Sequence, residues 1–419
     1  MKIFADLHIH SRHSRATSKQ LDIDNLEKWA KVKGINLLGT GDFTHPVWIK
    51  ELKEKLVTEE NGIYKTQAGF PFVLQSEISL MYTQGKGRRV HIVMLAPNFD
   101  VAGQITEYLK TKGRVDYDGR PIFKIPCHEL TEKLMSISKD IEIIPAHVWT
   151  PWFGLFGSKT GFDSVEEAFQ DKAKHIHALE TGLSSDPAMN WRLSALDKYS
   201  LVSFSDLHSF WPWRLGREAT MFDIDLTYKN LINALRTKQG LLGTIEVDPA
   251  YGKYHWDGHR MCNIRFEPKE TVKLNGVCPK CGKPLTIGVE YRVEQLADRE
   301  IGFKPANAPG FKTLIPISEI LSRLLGTAIA TQKVWREYNK LIGAFGNEMN
   351  ILLDVPFDKL KNTSGELIAQ KIIDNRKGNI KVDPGYDGEY GIPVFNEGEG
   401  LKLEMPEIKQ KQTGLGQFI

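Results

Sequence analysis

Short apolar runs ending in histidine or carboxylate recur along the first 250 residues. Phe4 to Ile9 reads as a buried strand, and His8 and His10 stand at its end. Residues at i and i+2 of a strand share a face, so this spacing aims two imidazoles at one point. The arrangement repeats. Residues 201–208 are an apolar strand ending in Asp206-x-His208, and residues 141–147 end in His147. Residues 35–45 end in Asp42 and His45, the run from Phe72 ends in Glu77, and the run from Val90 carries His91.

Between these runs the apolar spacing turns helical. It predicts helices from an Asp22 or Asp24 cap through Lys33, then at about 46–57, 101–111, 164–170, 187–198 and 227–237. Strands are predicted at 35–40, 72–80, 90–95, 141–146, 176–180 and 201–205. Alternating strands and helices imply an α/β fold with parallel strands. Polar groups gathered at strand C-termini are the layout of an α/β barrel. Residues 1–247 are read as one such catalytic domain.

The pattern changes from about residue 250. Cys278-Pro-Lys-Cys281-Gly has the spacing of a zinc knuckle, and His259-x-x-Cys262 copies the same gap, with His255 a rival fourth ligand. Four protein ligands close a zinc site, so this zinc is structural. Residues 248–310 are assigned to this module. A helical region, 311–380, rests on apolar spacing at 318–325, 330–342 and 357–375. A loop-rich tail, 381–419, begins with Pro384-Gly-Tyr-Asp-Gly-Glu-Tyr-Gly391.

Composition narrows the function classes. A 41% hydrophobic and 26% charged chain is ordinary for a soluble protein. No apolar run approaches the roughly 18 residues of a membrane span, and the N-terminus reads as a strand, not a secretory signal. Four cysteines in 419 residues make no disulfide framework, which points to a reducing, cytoplasmic compartment. Net charge is only +3, so contact with nucleic acid must come from local basic patches.

His8, His10, Asp42, His45, Glu77, His91, His147, Asp206 and His208 together outnumber what core histidines explain. Buried imidazoles and carboxylates need partners, and metal ions are the economical ones. A His, Asp and Glu set without Cys suits Zn²⁺, Mn²⁺ or iron, with Mg²⁺ where oxygens dominate. Glu77 has two oxygens and can bridge two ions, and paired metals activate water and clamp both oxygens of a phosphoryl transfer. Hydrolysis of a phosphate ester is the leading chemistry, resting most on Asp206, Glu77 and His8.

The order H-x-H, Asp/His, Glu, His, His, D-x-H resembles the polymerase and histidinol phosphatase (PHP) superfamily. That resemblance implies a distorted (β/α)7 barrel with two or three catalytic divalent metals. It places His8 and His10 in the first motif, Glu77 as bridge, His91 and His147 in the middle, and Asp206 and His208 last. The second motif departs: Gly41-Asp42-Phe43 stands where Thr-Asp-His is usual, leaving Asp42 and His45 as alternatives. Over the whole chain, residues 39–46, 203–209 and 384–391 resemble the archaeal endonuclease Q family. This implies a DNA repair enzyme cutting the phosphodiester 5′ of a deaminated base (hypoxanthine, uracil, xanthine) or an abasic site in duplex DNA.

Aromatic residues follow the ligands: Trp149 and Trp152 after His147, and Trp211 and Trp213 after His208. Exposed rings there would stack on an extruded base or fill its gap; ordinary loop packing is the alternative. Arg15, Arg88 and Arg89 are candidate phosphate contacts, with solvated surface as the alternative. Gln412, Leu415, Phe418 and Ile419 fit a sliding-clamp peptide, an apolar plug on a tail. Two rival functions remain: a PHP-type small-molecule phosphoesterase, and a non-catalytic adaptor between DNA and clamp.

Overall fold

Strand β1 (Lys2–Asp6) starts at the surface and ends wholly buried, and the sheet grows on both sides of it. The computed structural model describes residues 2–58 and 61–394. Helix α1 (Ile23–Lys33) follows, capped by the Asp22 carboxylate on Asn25 N–H and closed by Gly34 at φ 93°. It delivers the chain to β2 (Leu37–Gly39), parallel to β1. Helix α2 (Pro46–Lys55) leads on towards β3 (Pro71–Gln84), parallel to β2.

Here the structure departs from a uniformly parallel sheet. Strand β3 turns at Gly85 into β4 (Lys86–Ala96), giving an antiparallel hairpin of 14 and 11 residues, longer than the predicted runs. A parallel pairing needs a crossover of a dozen or more residues, and one glycine leaves no room for it. After α3 (Phe99–Lys110) and α4 (Cys127–Ile137), β5 (Glu142–Pro145) pairs antiparallel to β4. Strands β6 (Ala178–Glu180) and β7 (Ser200–Val202) pair in parallel. The predicted helix 187–198 is present only as Pro187–Asn190 and a 3₁₀ turn at Ser194–Leu196. The Arg192 carbonyl is turned outwards to accept Asp298 and Arg299 N–H, which breaks the helical ladder.

On the far side of β1, β8 (Ala219–Asp223) is antiparallel to it. Helix α5 (Tyr228–Thr237) then leads to β9 (Leu241–Glu246), antiparallel to β8, and β10 (Gly310–Thr313) lies parallel to β9. The sheet curls. Ile9 bridges Leu207 in parallel, Val148 N–H donates to Glu180 C=O, and Thr181 N–H donates to Val202 C=O. Strand ends distant in sequence thereby converge.

Five helices follow: α6 (Ile317–Leu324), α7 (Gln332–Phe345), α8 (Glu348–Leu353), α9 (Phe357–Ser364) and α10 (Glu366–Arg376). The predicted segment 357–375 is split at Gly365, whose φ of 85° no helix accommodates. The motif at 384–391 folds back on residues 249–266. A Cβ at Gly391 would lie 2.0 Å from Ala250 O, so only glycine permits that approach. Arg265 pairs with Asp383 and lies over the rings of Trp256 and Tyr386.

Candidate metal centre

The converging strand ends and the middle of the β3–β4 hairpin bring together two groups of ligand atoms that share Glu77. His8, His10, Glu77 and Asp206 each offer one atom within 4.8 Å of the others, and so do Glu77, His91 and His147. His10 Nε2 lies 3.1 Å from Asp206 Oδ1 and 3.2 Å from Glu77 Oε2, and His8 Nε2 lies 3.4 Å from the same Glu77 oxygen. The other oxygen, Oε1, is 2.7 Å from His91 Nδ1 and 3.4 Å from His147 Nε2. Each oxygen of the buried carboxylate therefore faces one group.

Outer contacts hold the rings. His8 Nδ1 is 2.9 Å from Glu180 Oε1, and His147 N–H donates to Glu180 Oε2 at 2.7 Å. His10 Nδ1 is 3.1 Å from Asp42 Oδ1, while Asp42 Oδ2 accepts from Ser11 N–H and from the Ser11 and Ser14 hydroxyls. His147 Nδ1 meets Thr150 Oγ1 at 2.9 Å. Such partners fix ring orientation and tautomer at metal sites. Asp42, His147 and Asp206 adopt φ of 43°, 31° and 46°, a region non-glycine residues rarely occupy; the strain, typically about 1–3 kcal/mol per residue, is held by these contacts.

Burial alone would raise the Glu77 and Asp206 carboxyls. His91, Arg120 and His8 outweigh it for Glu77, and His8 and His10 for Asp206, leaving both well below the usual range. Burial pushes His8 down, but Glu180, Glu77 and Asp206 hold it well above an ordinary imidazole. His91 is the contrast: burial, with Arg120 and His147 adding to it, outweighs Glu77 and brings the ring to about 4. Buried His8 Nε2 and Glu77 Oε1 find no hydrogen bond. Orphaned atoms facing a cluster of imidazoles and carboxylates fit a divalent metal, which needs such lone pairs.

The remaining predicted ligands lie around this core. His208 packs at a tilt beside His10 with ring centres 4.8 Å apart, and its Nδ1 meets Asp206 O at 3.0 Å. His45 precedes α2 and stacks on His13, centres 4.3 Å apart. Asp42 is turned onto His10 and the serines, and neither Asp42 nor His45 joins the two groups. Two contributors were not singled out from the sequence. Glu180 ends a predicted strand, so the signal that found Glu77 also marks it. Arg120, with Nη1 3.2 Å from Glu77 Oε2, stands in a polar loop that carries no motif.

The expected DNA contacts divide. Trp149 is sealed in the core, its Nε1–H donating to Asn190, and presents no face to a base. Trp211 and Trp213 stack on each other and pack against Trp335 of α7, with Trp29 of α1 against Trp211. They join the sheet to the helices. Arg88 is buried against Gly161 O, Glu167 and the Phe162 ring. Arg89 and Arg15 are exposed, and Trp152 remains partly so beside Tyr254. A cavity of about 400 Å³ adjoins the cluster, lined by His147, Asp206, Phe204, Arg214, Tyr254 and Tyr390.

His259, Cys262, Cys278 and Cys281 form a third group within 4.8 Å, and His255 stands apart near Glu290. Burial raises the Cys278 thiol, but the Cys281 and Lys280 amides overcome it and bring it to about 6, favouring thiolate. Gln412, Leu415, Phe418 and Ile419 lie outside the described residues.

A curled mixed α/β sheet carrying buried clusters of histidine and carboxylate defines the class, and two solved structures that resemble the chain over nearly its whole length are DNA endonucleases. The crystal structure of the lesion-specific endonuclease PfuEndoQ from Pyrococcus furiosus matches with a TM-score of 0.85 and 31% identity, over 95% of this chain and 96% of that one. Endonuclease Q in complex with a 27-mer duplex carrying an abasic lesion matches at 0.84 and 32%, over 95% and 97%. The chain belongs to the endonuclease Q family. Residues 316–379 match the family model of the MJ0043 C-terminal domain. Uncharacterized protein MJ0043 of Methanocaldococcus jannaschii is 33% identical over 253 residues, 59% of this chain; the match spans only 31% of that relative's length. Uncharacterized protein YqxK of Bacillus subtilis is 28% identical over 414 residues, 93% of this chain and 98% of its own. No helix among the described residues is long and apolar enough to cross a membrane.

Proposed function

We propose that this protein is a metal-dependent DNA repair endonuclease that hydrolyses the phosphodiester 5′ of a deaminated base or an abasic site. The observation that carries the reading is Glu77, with one oxygen towards His8, His10 and Asp206 and the other towards His91 and His147. Divalent metals held by these residues would supply an activated water and neutralise charge on the phosphate. Glu180 and Asp42 keep the His8 and His10 rings turned inwards. His208, beside Asp206 and 33% exposed, is placed to complete the ligand set or to pass a proton to the leaving 3′ oxygen.

The adjoining cavity is large enough for one extruded base, and Phe204, Tyr254 and Tyr390 offer it aromatic surface. The Cys/His group is read as a structural Zn²⁺ site. Residues 412–419 are read as a sliding-clamp peptide; a chain truncated after Lys411 that still binds the clamp would remove that partner.

The test is nicking of an end-labelled duplex carrying one deoxyinosine, deoxyuridine or abasic site, with and without divalent metal. The expected result is one cut immediately 5′ of the lesion and none in undamaged duplex. Intact duplexes alongside rapid hydrolysis of an aryl phosphate would favour the small-molecule phosphoesterase.

A further inference from the structure

Arg120 is the one cation from outside the ligand set that reaches the bridging carboxylate, among the described residues. Its Nη1 lies 3.2 Å from Glu77 Oε2, the oxygen that also faces His8 and His10. The side chain is 25% exposed, so it spans from the buried cluster to the open side. Its loop is fastened for the purpose. Asp118 accepts the N–H of both Arg15 and Arg120, and Gly119 N–H donates to His13 O. Gly119 packs so closely on the Asp42 clasp that a Cβ would stand 2.3 Å from Asp42 Oδ2 and from Ser14 Oγ. The same residues that orient His10 therefore also aim Arg120.

A guanidinium at hydrogen-bond distance from a metal-bridging carboxylate has two consequences. It shares the oxygen that a cation in the His8, His10, Asp206 group would use, so it opposes metal binding there by competition and repulsion. Once that oxygen is taken, the fork must find another anion, and arginine matches phosphate oxygens in a bidentate geometry that lysine does not.

We infer that Arg120 is a catalytic residue that leaves Glu77 when metal binds and grips the non-bridging oxygens of the scissile phosphate. Its fixed positive charge offsets the charge that builds there during in-line displacement, and no proton moves to or from it. This rests on the endonuclease reading above for its substrate, but the competition with metal does not.

The experiment compares wild type with Arg120→Gln and Arg120→Lys. Mn²⁺ affinity is measured by competition with a chelating dye, and single-turnover cutting is measured on a lesion duplex at saturating metal. Arg120→Gln should bind Mn²⁺ about tenfold tighter, equal to about 1.4 kcal/mol, and cut about 10²–10³-fold slower. Arg120→Lys should restore the ordinary Mn²⁺ affinity and only part of the rate. Cutting by Arg120→Gln at the wild-type rate overturns the inference. So does a variant that loses cutting and metal together, which would make Arg120 a packing element of its loop. If wild type cuts no lesion duplex, the endonuclease reading fails; unchanged Mn²⁺ affinity in Arg120→Gln would then defeat the competition as well.

Discussion

Glu218 and Glu246 are buried together next to Glu180, with Ser203 Oγ–H donating to Glu218 and Thr181 Oγ–H to Glu246. Burial pushes Glu218 up to about 8 from an ordinary 4.5, and Glu246 is raised by burial and by Glu218. The folded state thus holds a proton that the unfolded state releases. Stability from this group is complete below about 4.5, declines as pH rises, and is gone above about 8. Glu218→Gln removes the titration. Its melting temperature relative to wild type should therefore climb between pH 5.5 and 8.5, in thermal melts at both values. A constant difference would contradict the assignment. At this scale His8, His10, His147 and Asp206 were legible because each follows an apolar strand, whereas Glu77 and His91 sit inside the strands of the β3–β4 hairpin. The failures among the aromatics have one cause: an aromatic after a ligand is equally suited to a core, as with Trp149, or to an exposed loop, as with Trp152, and spacing does not separate the two.

The elements are held to one another by a buried ion pair as well as by apolar packing. Lys33, at the end of α1, is 1% exposed and donates to Pro212 O and to Glu348 of α8. Glu348 also accepts from Tyr338 Oη–H and Ile317 N–H. Pro212 lies between Trp211 and Trp213, so the loop after His208 is pinned from the helices. Removing one partner leaves a buried carboxylate uncompensated. Lys33→Met should cost about 3–5 kcal/mol in denaturant unfolding, and a loss under about 1 kcal/mol would show that the pair is not needed. Periodicity revealed most elements here. It missed the antiparallel β3–β4 hairpin because strand direction depends on connection length, and it overran at 187–198 and 357–375. In the first of those the break is made by Asp298 and Arg299, which are remote in sequence.

For the whole molecule, the curl of the sheet converts widely separated sequence motifs into one centre, and the tail motif at 384–391 closes over the cavity beside it. The convergence was legible only as a repeated ending. The loop that brings Arg120 to Glu77 was not, because its placement depends on Asp118 and on the absent Cβ of Gly119 rather than on any pattern. The central claim is that metals joined through Glu77 perform the cut. The most direct measurement is metal content and lesion-duplex nicking of Glu77→Gln beside wild type, both stripped and then reloaded. The account predicts that wild type regains the ions of both Glu77 groups and its cut 5′ of the lesion, while Glu77→Gln keeps only the Cys/His zinc and cuts nothing. A Glu77→Gln protein that retains those ions and nicks at the wild-type rate would contradict it.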